Sequence, residues 1–316
     1  MDFEGTEKKL EILVTPDTPS LRGRGKEFWA GIVAKSNAVI LSTISNEHVD
    51  AYLLSESSLF VYDGRMIMIT CGRTTLVESA EAMLKAVPLD HIQSFIYERK
   101  NENFPGMQPS TFDDDAARLA QQVPGTATIF GDRRGHHVSM FHMDREFEPD
   151  AEDITLEVLM YGLDPAAAAR FAAKDGETIR NATGIHEVLP GFTIDDHAFS
   201  PAGYSLNGIR GEAYTTVHVT PEEAGSYASY ETSFAFPDNQ TIRDAVERVV
   251  GIFNPNRFDV FLFQNRITFD SFGPFHMQRE ACTTLSSGYA VQFCHFLRDA
   301  ETPAGAGEPA SRKARS

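Results

Sequence analysis

The chain has 316 residues, with 28 Lys and Arg against 45 Asp and Glu and a formal charge of −17 at neutral pH, a balance that disfavours nucleic acid and anionic membranes as partners. Its 42% hydrophobic residues, 23 Phe among them, provide for a substantial core and exclude global disorder. No stretch approaches the ~20 consecutive apolar residues of a membrane span, and Met1 to Leu10 is polar and acidic rather than leader-like, so the expected location is cytoplasmic. Cys71, Cys282 and Cys294 are too few for a disulfide framework and form no Cys-x-x-Cys, which leaves only single-thiol chemistry.

In chain order, Gly23-Arg24-Gly25-Lys26 lacks the rest of a phosphate-binding loop and reads as solvated. Residues 38–44, 50–62 and 65–71 predict three strands, with turns at Ser45-Asn46 and Asp63-Gly64. Thr75-Leu-Val-Glu78 has capping-box spacing and predicts a helix through Val87. A second helix is expected over Asp113 to Gln122, whose three leading aspartates suit a helix amino terminus, and antiparallel strands over Gly125 to Arg145. Leu163-Asp164-Pro165 opens an alanine-rich helix that Asp175-Gly176 is expected to end. Strands follow over residues 214–219 and 227–236, an amphipathic helix over 241–253 and a strand over 258–263. Strands followed by a helix, twice, predict an α+β fold of antiparallel sheets rather than a βαβ alternation.

Three hydroxyls and a carboxylate, Ser55-Glu56-Ser57-Ser58, interrupt an apolar stretch. They are either a solvent-facing strand with satisfied hydroxyls or a serine set to attack its own preceding carbonyl. Phe199 to Gly208 and Tyr214 to Glu222 bring Ser205, His218 and Glu222 close in sequence, without the spacing of a nucleophile elbow. His218 between two valines reads equally as a core histidine, and Cys71 as packing. His136, His137 and His142 have no carboxylate or cysteine at ligand spacing and read as surface histidines.

Phe3-Glu4-Gly5-Thr6-Glu7-Lys8, Tyr52-Leu-Leu-Ser55-Glu56-Ser57-Ser58-Leu-Phe60, Thr70-Cys71-Gly72, Gly203-Tyr-Ser205-Leu-Asn207-Gly208 and His218-Val-Thr-Pro-Glu222 together resemble the eukaryotic-type S-adenosylmethionine decarboxylase proenzymes. Shorter patches at Ile92–Phe95, Thr155–Met160 and Leu163–Pro165 extend the likeness in order along the chain. The resemblance implies a four-layer α/β/β/α sandwich of two pseudo-repeated halves, faintly visible as Lys9-Leu-Glu-Ile-Leu13 beside Thr155-Leu-Glu-Val-Leu159. It implies one domain over residues 1–300, parted by self-cleavage into 1–56 and 57–316; the composition of residues 301–316, rich in Ala, Gly, Pro and Ser, separately predicts a disordered tail. Ser57 would attack the Glu56 carbonyl and end as a pyruvoyl group, with His218 as the base and Ser205 assisting. That group would form a Schiff base with S-adenosylmethionine and serve as electron sink, with neither metal nor pyridoxal phosphate. Cys71 would be the proton donor, Glu4 and Glu7 would line the site, Phe3 and Phe199 would stack on adenine, and Glu222 would bind the ribose. The decarboxylated product would be the aminopropyl donor for spermidine and spermine synthesis.

Some members of the family are activated by putrescine at an acidic cluster, matched here by Glu11, Asp153, Thr155, Glu157 and Glu231. This chain departs from the pattern with Lys9, Ile69 and Glu98. The expectation is that Lys9, with Arg99, supplies the positive charge internally; the alternative is a solvent-facing Lys9. Other expectations are paired small and large chains and a homodimer. The competing functions are a catalytically retired homologue acting as a regulatory subunit and a hydrolase built on Ser205 and His218.

Overall fold

A computed structural model describes residues 4–299 except 174 and 270. The predicted Phe3 contact and the tail at 301–316 lie outside the described residues. The first half forms β1 (Lys8–Val14), α1 (Gly25–Lys35), β2 (Ile40–Ser45), β3 (Asp50–Leu54), β4 (Ser57–Val61), β5 (Arg65–Thr70), α2 (Leu76–Ala86), β6 (Ile92–Arg99), α3 (Phe112–Leu119), β7 (Gly125–Gly131) and β8 (His137–Met143). The second forms β9 (Thr155–Tyr161), α4 (Pro165–Arg170), α5 (Gly176–Thr183), β10 (Thr193–Ala198), β11 (Tyr204–Arg210), β12 (Ala213–Thr220), β13 (Tyr227–Thr232), α6 (Asn239–Phe253), β14 (Arg257–Phe263), β15 (Ser271–Phe272), β16 (Phe275–Thr284) and β17 (Ala290–Arg298).

The sheet orders are β2-β3-β4-β5-β1-β6-β8-β7 and β10-β11-β12-β13-β9-β14-β17-β16-β15. Each half thus places its first strand between its fifth and sixth, and the pseudo-repeat suggested by Lys9–Leu13 and Thr155–Leu159 coincides with these central strands, β1 and β9. Alternation assigns their two faces. Leu10 and Ile12 of β1 pack with Trp29, Val77 and Met83 from α1 and α2. Val158 and Met160 of β9 pack with Ile242, Val246 and Phe253 of α6. The odd-numbered residues of both strands face the opposite sheet. Ile96, Met140, Tyr161, Phe261 and Phe293 fill one part of that space, and Phe60, Ile67, Ile69, Ile209 and Tyr214 another. With both faces covered, every residue of β9 is buried.

Helix α6 shows how local chemistry sets an element. Its buried positions recur at three- and four-residue spacing, the Asp238 side chain accepts from Thr241 N at 2.8 Å, and Asn254 closes it in a left-handed conformation. A cap of this kind contributes about 1 kcal/mol.

Four local expectations differ from the structure. Residues 50–62 are not one strand but the β3–β4 hairpin: Ser55 and Glu56 form a two-residue turn, and the polar Ser57 and Ser58 already belong to the buried strand β4. Thr75 precedes α2 without capping it, since its hydroxyl donates to Lys35 O at 2.9 Å. Asp175 starts a helix rather than ending one, its carboxylate accepting from Thr178 N at 2.8 Å. Lys26 lies in α1, whose burial of Trp29 and Val33 overrides the loop-like Gly-Arg-Gly-Lys sequence.

Candidate active site

A two-residue hairpin connection calls for positive φ, usually met by glycine or asparagine. Here the next residue, Ser57, opposite Leu54, has φ 124°, a region that costs a side-chain-bearing residue of order 1–3 kcal/mol. Ser57 is 1% exposed and its Oγ has no hydrogen-bond partner of good geometry. The carbonyl oxygen of Glu56 accepts from Cys71 N at 3.0 Å, so a backbone donor is already aimed at the atom that would carry negative charge if the carbonyl were attacked. Gly72, at φ 69°, turns the chain just beyond Cys71, and its N–H donates to Glu4 O at 2.8 Å. Burial, then the Glu56 carboxylate, push the Cys71 thiol up to about 12, opposed by the neighbouring Ser57 hydroxyl.

His218 projects from β12 into the space between the sheets. Its Nδ1 lies 2.6 Å from Glu7 Oε1 and its Nε2 2.8 Å from Ser58 Oγ and 3.1 Å from Thr216 Oγ1. Ser58 Oγ donates to Asn207 Oδ1 at 2.6 Å. Glu7 also accepts from Ser229 Oγ at 2.7 Å and Tyr227 OH at 3.1 Å, so the carboxylate that orients the imidazole is itself fixed. Ser205 faces His218 across the β11–β12 pair.

A cavity of about 270 Å³ is lined by Glu56, Ser57, Cys71, Phe199, Ser205, His218 and Glu222, and so unites most of the predicted site residues. Glu7 lies behind His218. Glu4 lines an adjoining cavity together with Glu56 and Glu222, and its carboxylate accepts from Asn103 N at 3.2 Å and Phe104 N at 2.6 Å.

The predicted charge cluster is continuous with this site, because Glu7, Lys9 and Glu11 alternate along one face. Lys9, 1% exposed, lies 2.7 Å from Glu157 Oε1 and 2.8 Å from Glu231 Oε1, which excludes the solvent-facing alternative. Arg99 is not its helper, since alternation on β6 turns it to the other face, where it bonds Asp115 at 2.9 Å and pairs with Glu102. The additional cations are Lys100, paired with Glu98 and Glu157, and Arg65, 2.5 Å from Glu11 and 2.6 Å from Asp153. Thr155 lies buried on the same face of β9.

Among the described residues three cations therefore face five carboxyl groups, and burial weighs most on two of these. Burial raises Glu98, whose second oxygen has no partner, and raises Glu231 to about 7 against the pull of Lys9. Burial would raise Glu157 as well, but Lys100 and Lys9 outweigh it and hold that carboxyl at about 2.

Sequence reasoning missed Ser58 and Thr216 as partners of the imidazole, and Lys100 and Arg65 as cations. Strand periodicity could have found Thr216, two residues before His218, and neighbouring position could have flagged Ser58. His136 and His142 were also misassigned: His142 is buried against Thr128 and Ser286, and His136 pairs with Asp259.

Two similarly permuted antiparallel sheets, helices outside both, and a serine, a thiol and an imidazole converging on a strained hairpin define a four-layer sandwich with its reactive groups between the sheets. The family model for adenosylmethionine decarboxylase matches residues 1–296. The S-adenosylmethionine decarboxylase proenzyme of Leishmania donovani is 39% identical over 281 residues, covering 83% of this chain and 73% of that protein. The proenzyme of Dictyostelium discoideum is 35% identical over 285 residues, 83% of this chain and 74% of the other. The crystal structure of a Trypanosoma brucei AdoMetDC-delta26 monomer has a TM-score of 0.58 at 26% identity, over 77% of this chain and 99% of that one. The chain belongs to the adenosylmethionine decarboxylase family.

Proposed function

We propose that this chain is a proenzyme that cleaves itself between Glu56 and Ser57 and then decarboxylates S-adenosylmethionine, providing the aminopropyl donor for spermidine and spermine synthesis. The observation that carries the reading is the strained, buried Ser57, its hydroxyl unpartnered beside a Glu56 carbonyl that already accepts a hydrogen bond from Cys71 N.

Attack of Ser57 Oγ on the Glu56 carbonyl carbon forms a C–O bond and breaks the peptide C–N bond, leaving an ester and a free amine. The Cys71 N–H stabilises the oxyanion between these states, and relief of the positive φ favours departure from the peptide. His218, oriented by Glu7, removes the α-proton of residue 57; Glu56 then leaves as a carboxylate, and hydrolysis with loss of ammonia yields a pyruvoyl terminus. That group supplies an electrophilic carbonyl for the substrate amine and an electron sink as carbon dioxide departs.

The remaining roles fall to the cavity's side chains. Cys71 is protonated at neutral pH, as a proton donor must be. Phe199 offers an aromatic face for a base and Glu222 an acceptor for ribose hydroxyls. Lys9 and Arg65, each held between two carboxylates, supply charges that a diamine would bring, and this supports activity independent of putrescine.

Intact mass after denaturation, followed by cyanoborohydride reduction with S-adenosylmethionine, tests the reading. Two chains meeting between residues 56 and 57, with an adduct on the larger, are expected. A single uncut chain from folded protein would overturn it in favour of a retired homologue.

A further inference from the structure

A second cluster of chemistry-bearing side chains lies outside the catalytic cavity. Asp259 on β14 and His295 on β17 are register partners, and His136, in the connection between β7 and β8, reaches them from the first sheet. His136 Nε2 is 2.7 Å from Asp259 Oδ2 and His295 Nδ1 is 2.6 Å from Asp259 Oδ1, and the ligand atoms of all three lie within 4.8 Å of one another. The imidazoles stack at 4.3 Å between centroids.

We infer that His136, Asp259 and His295 form a site for one divalent transition-metal ion, zinc by donor chemistry, which ties the β7–β8 connection of the first sheet to two strands of the second. Two imidazole nitrogens and a carboxylate suit zinc or its neighbours in the first transition row, whereas magnesium and calcium favour oxygen-rich sites. Charge points the same way. Asp259 is fully buried, and among the described residues its ion-pair partners are the two histidines, with no lysine or arginine. The guanidinium of Arg257, two residues away, stacks 5.5 Å from the Tyr161 ring instead. A metal ion held by these three groups would place a positive charge directly on the buried carboxylate.

The present spacing is that of hydrogen bonds, with protons where the ion would sit. Metal–ligand bonds of about 2.0–2.2 Å place ligand atoms roughly 3.0–3.5 Å apart, so each imidazole would move off the carboxylate by about half an ångström, ligand atoms now up to 4.8 Å apart would draw together, and each N–H would pass to the other ring nitrogen. Both histidine side chains are 13% exposed, which gives the ion an entry path and leaves room for water to complete its coordination. None of the three lines the catalytic cavity, so the ion's role is to brace the sheets.

The test is calorimetric titration of the metal-stripped, full-length enzyme with zinc chloride, paralleled by cobalt(II) chloride followed by visible absorption. One equivalent of zinc is expected, with ligand-field bands for cobalt and a melting temperature that zinc raises. His136→Gln and His295→Gln should each weaken binding at least tenfold, and the double variant should lose both the stoichiometric binding and the thermal shift while retaining decarboxylase activity. Because both imidazoles are partly exposed, these variants stay informative even if Asp259→Asn does not fold. Absence of stoichiometric binding, or zinc binding undiminished in the double variant, overturns the inference. So does a cluster whose imidazoles titrate with protons but take up no zinc.

Discussion

His218 Nδ1 and Glu7 Oε1 lie 2.6 Å apart although 211 residues separate them in the chain. The imidazole belongs to the second sheet, and the carboxylate precedes the strand that carries Lys9 and Glu11 in the first. Glu7→Gln keeps the shape but removes the charge that would stabilise an imidazolium. We expect self-cleavage to slow by about 10- to 100-fold, while His218→Ala should halt after ester formation, leaving chains that hydroxylamine cuts at residue 56. A gel time course of freshly folded precursor distinguishes the two, and unimpaired cleavage in both would remove His218 from the chemistry.

At residue 57 backbone and chemistry separate. Ser57→Ala and Ser57→Gly should both remain uncut. Glycine tolerates φ 124° and alanine does not, so the glycine variant should be the more stable by about 1 kcal/mol in denaturant titrations. Equal stabilities would mean that the positive φ stores no strain.

Replacing Lys9 by methionine leaves Glu157 and Glu231 without their shared ammonium. Breaking a buried pair on one side costs roughly 3–5 kcal/mol, and activity should fall at least tenfold. Millimolar putrescine should restore part of the loss in the variant and leave the parent unchanged. A dialysed parent enzyme that putrescine activates severalfold would contradict the internal-cation reading.

The two perturbed carboxyls make opposite contributions to stability against pH. Glu231, raised from 4.5 to about 7, binds its proton more tightly when folded, so its contribution is complete below pH 4.5 and is lost as pH rises through 7. Glu157, lowered from 4.5 to about 2, contributes above pH 4.5 and loses that contribution as pH falls toward 2. Denaturant titrations at about pH 5 and about pH 8 should show the parent less stable at the higher pH by up to about 3 kcal/mol, and Glu231→Gln should flatten the difference.

Much of the architecture was legible because the amphipathic periods were clean, as in α6, and because the active-site strings survive intact around Ser57, Ser205 and His218. The hairpin at Ser55-Glu56 was hidden because its two-residue turn carries none of the glycine or asparagine that usually marks one. The cations were hidden for a different reason. Lys100 and Arg99 are adjacent, and only the pleat of β6 decides which enters the sandwich. Likewise His136 gained its partners from strands more than a hundred residues away, so local spacing carried no trace of them.

The strand order gives scission between residues 56 and 57 a topological consequence. The small chain would keep β1, β2 and β3, and β1 is clasped between β5 and β6 of the large chain. Covalent continuity would be lost while the sheet stayed whole, and the fragments could part only by unzipping the middle of the first sheet. Refolding of the cut enzyme from denaturant would then be a second-order encounter of two polypeptides, slowing on dilution, whereas the uncut precursor would refold at a rate independent of its concentration.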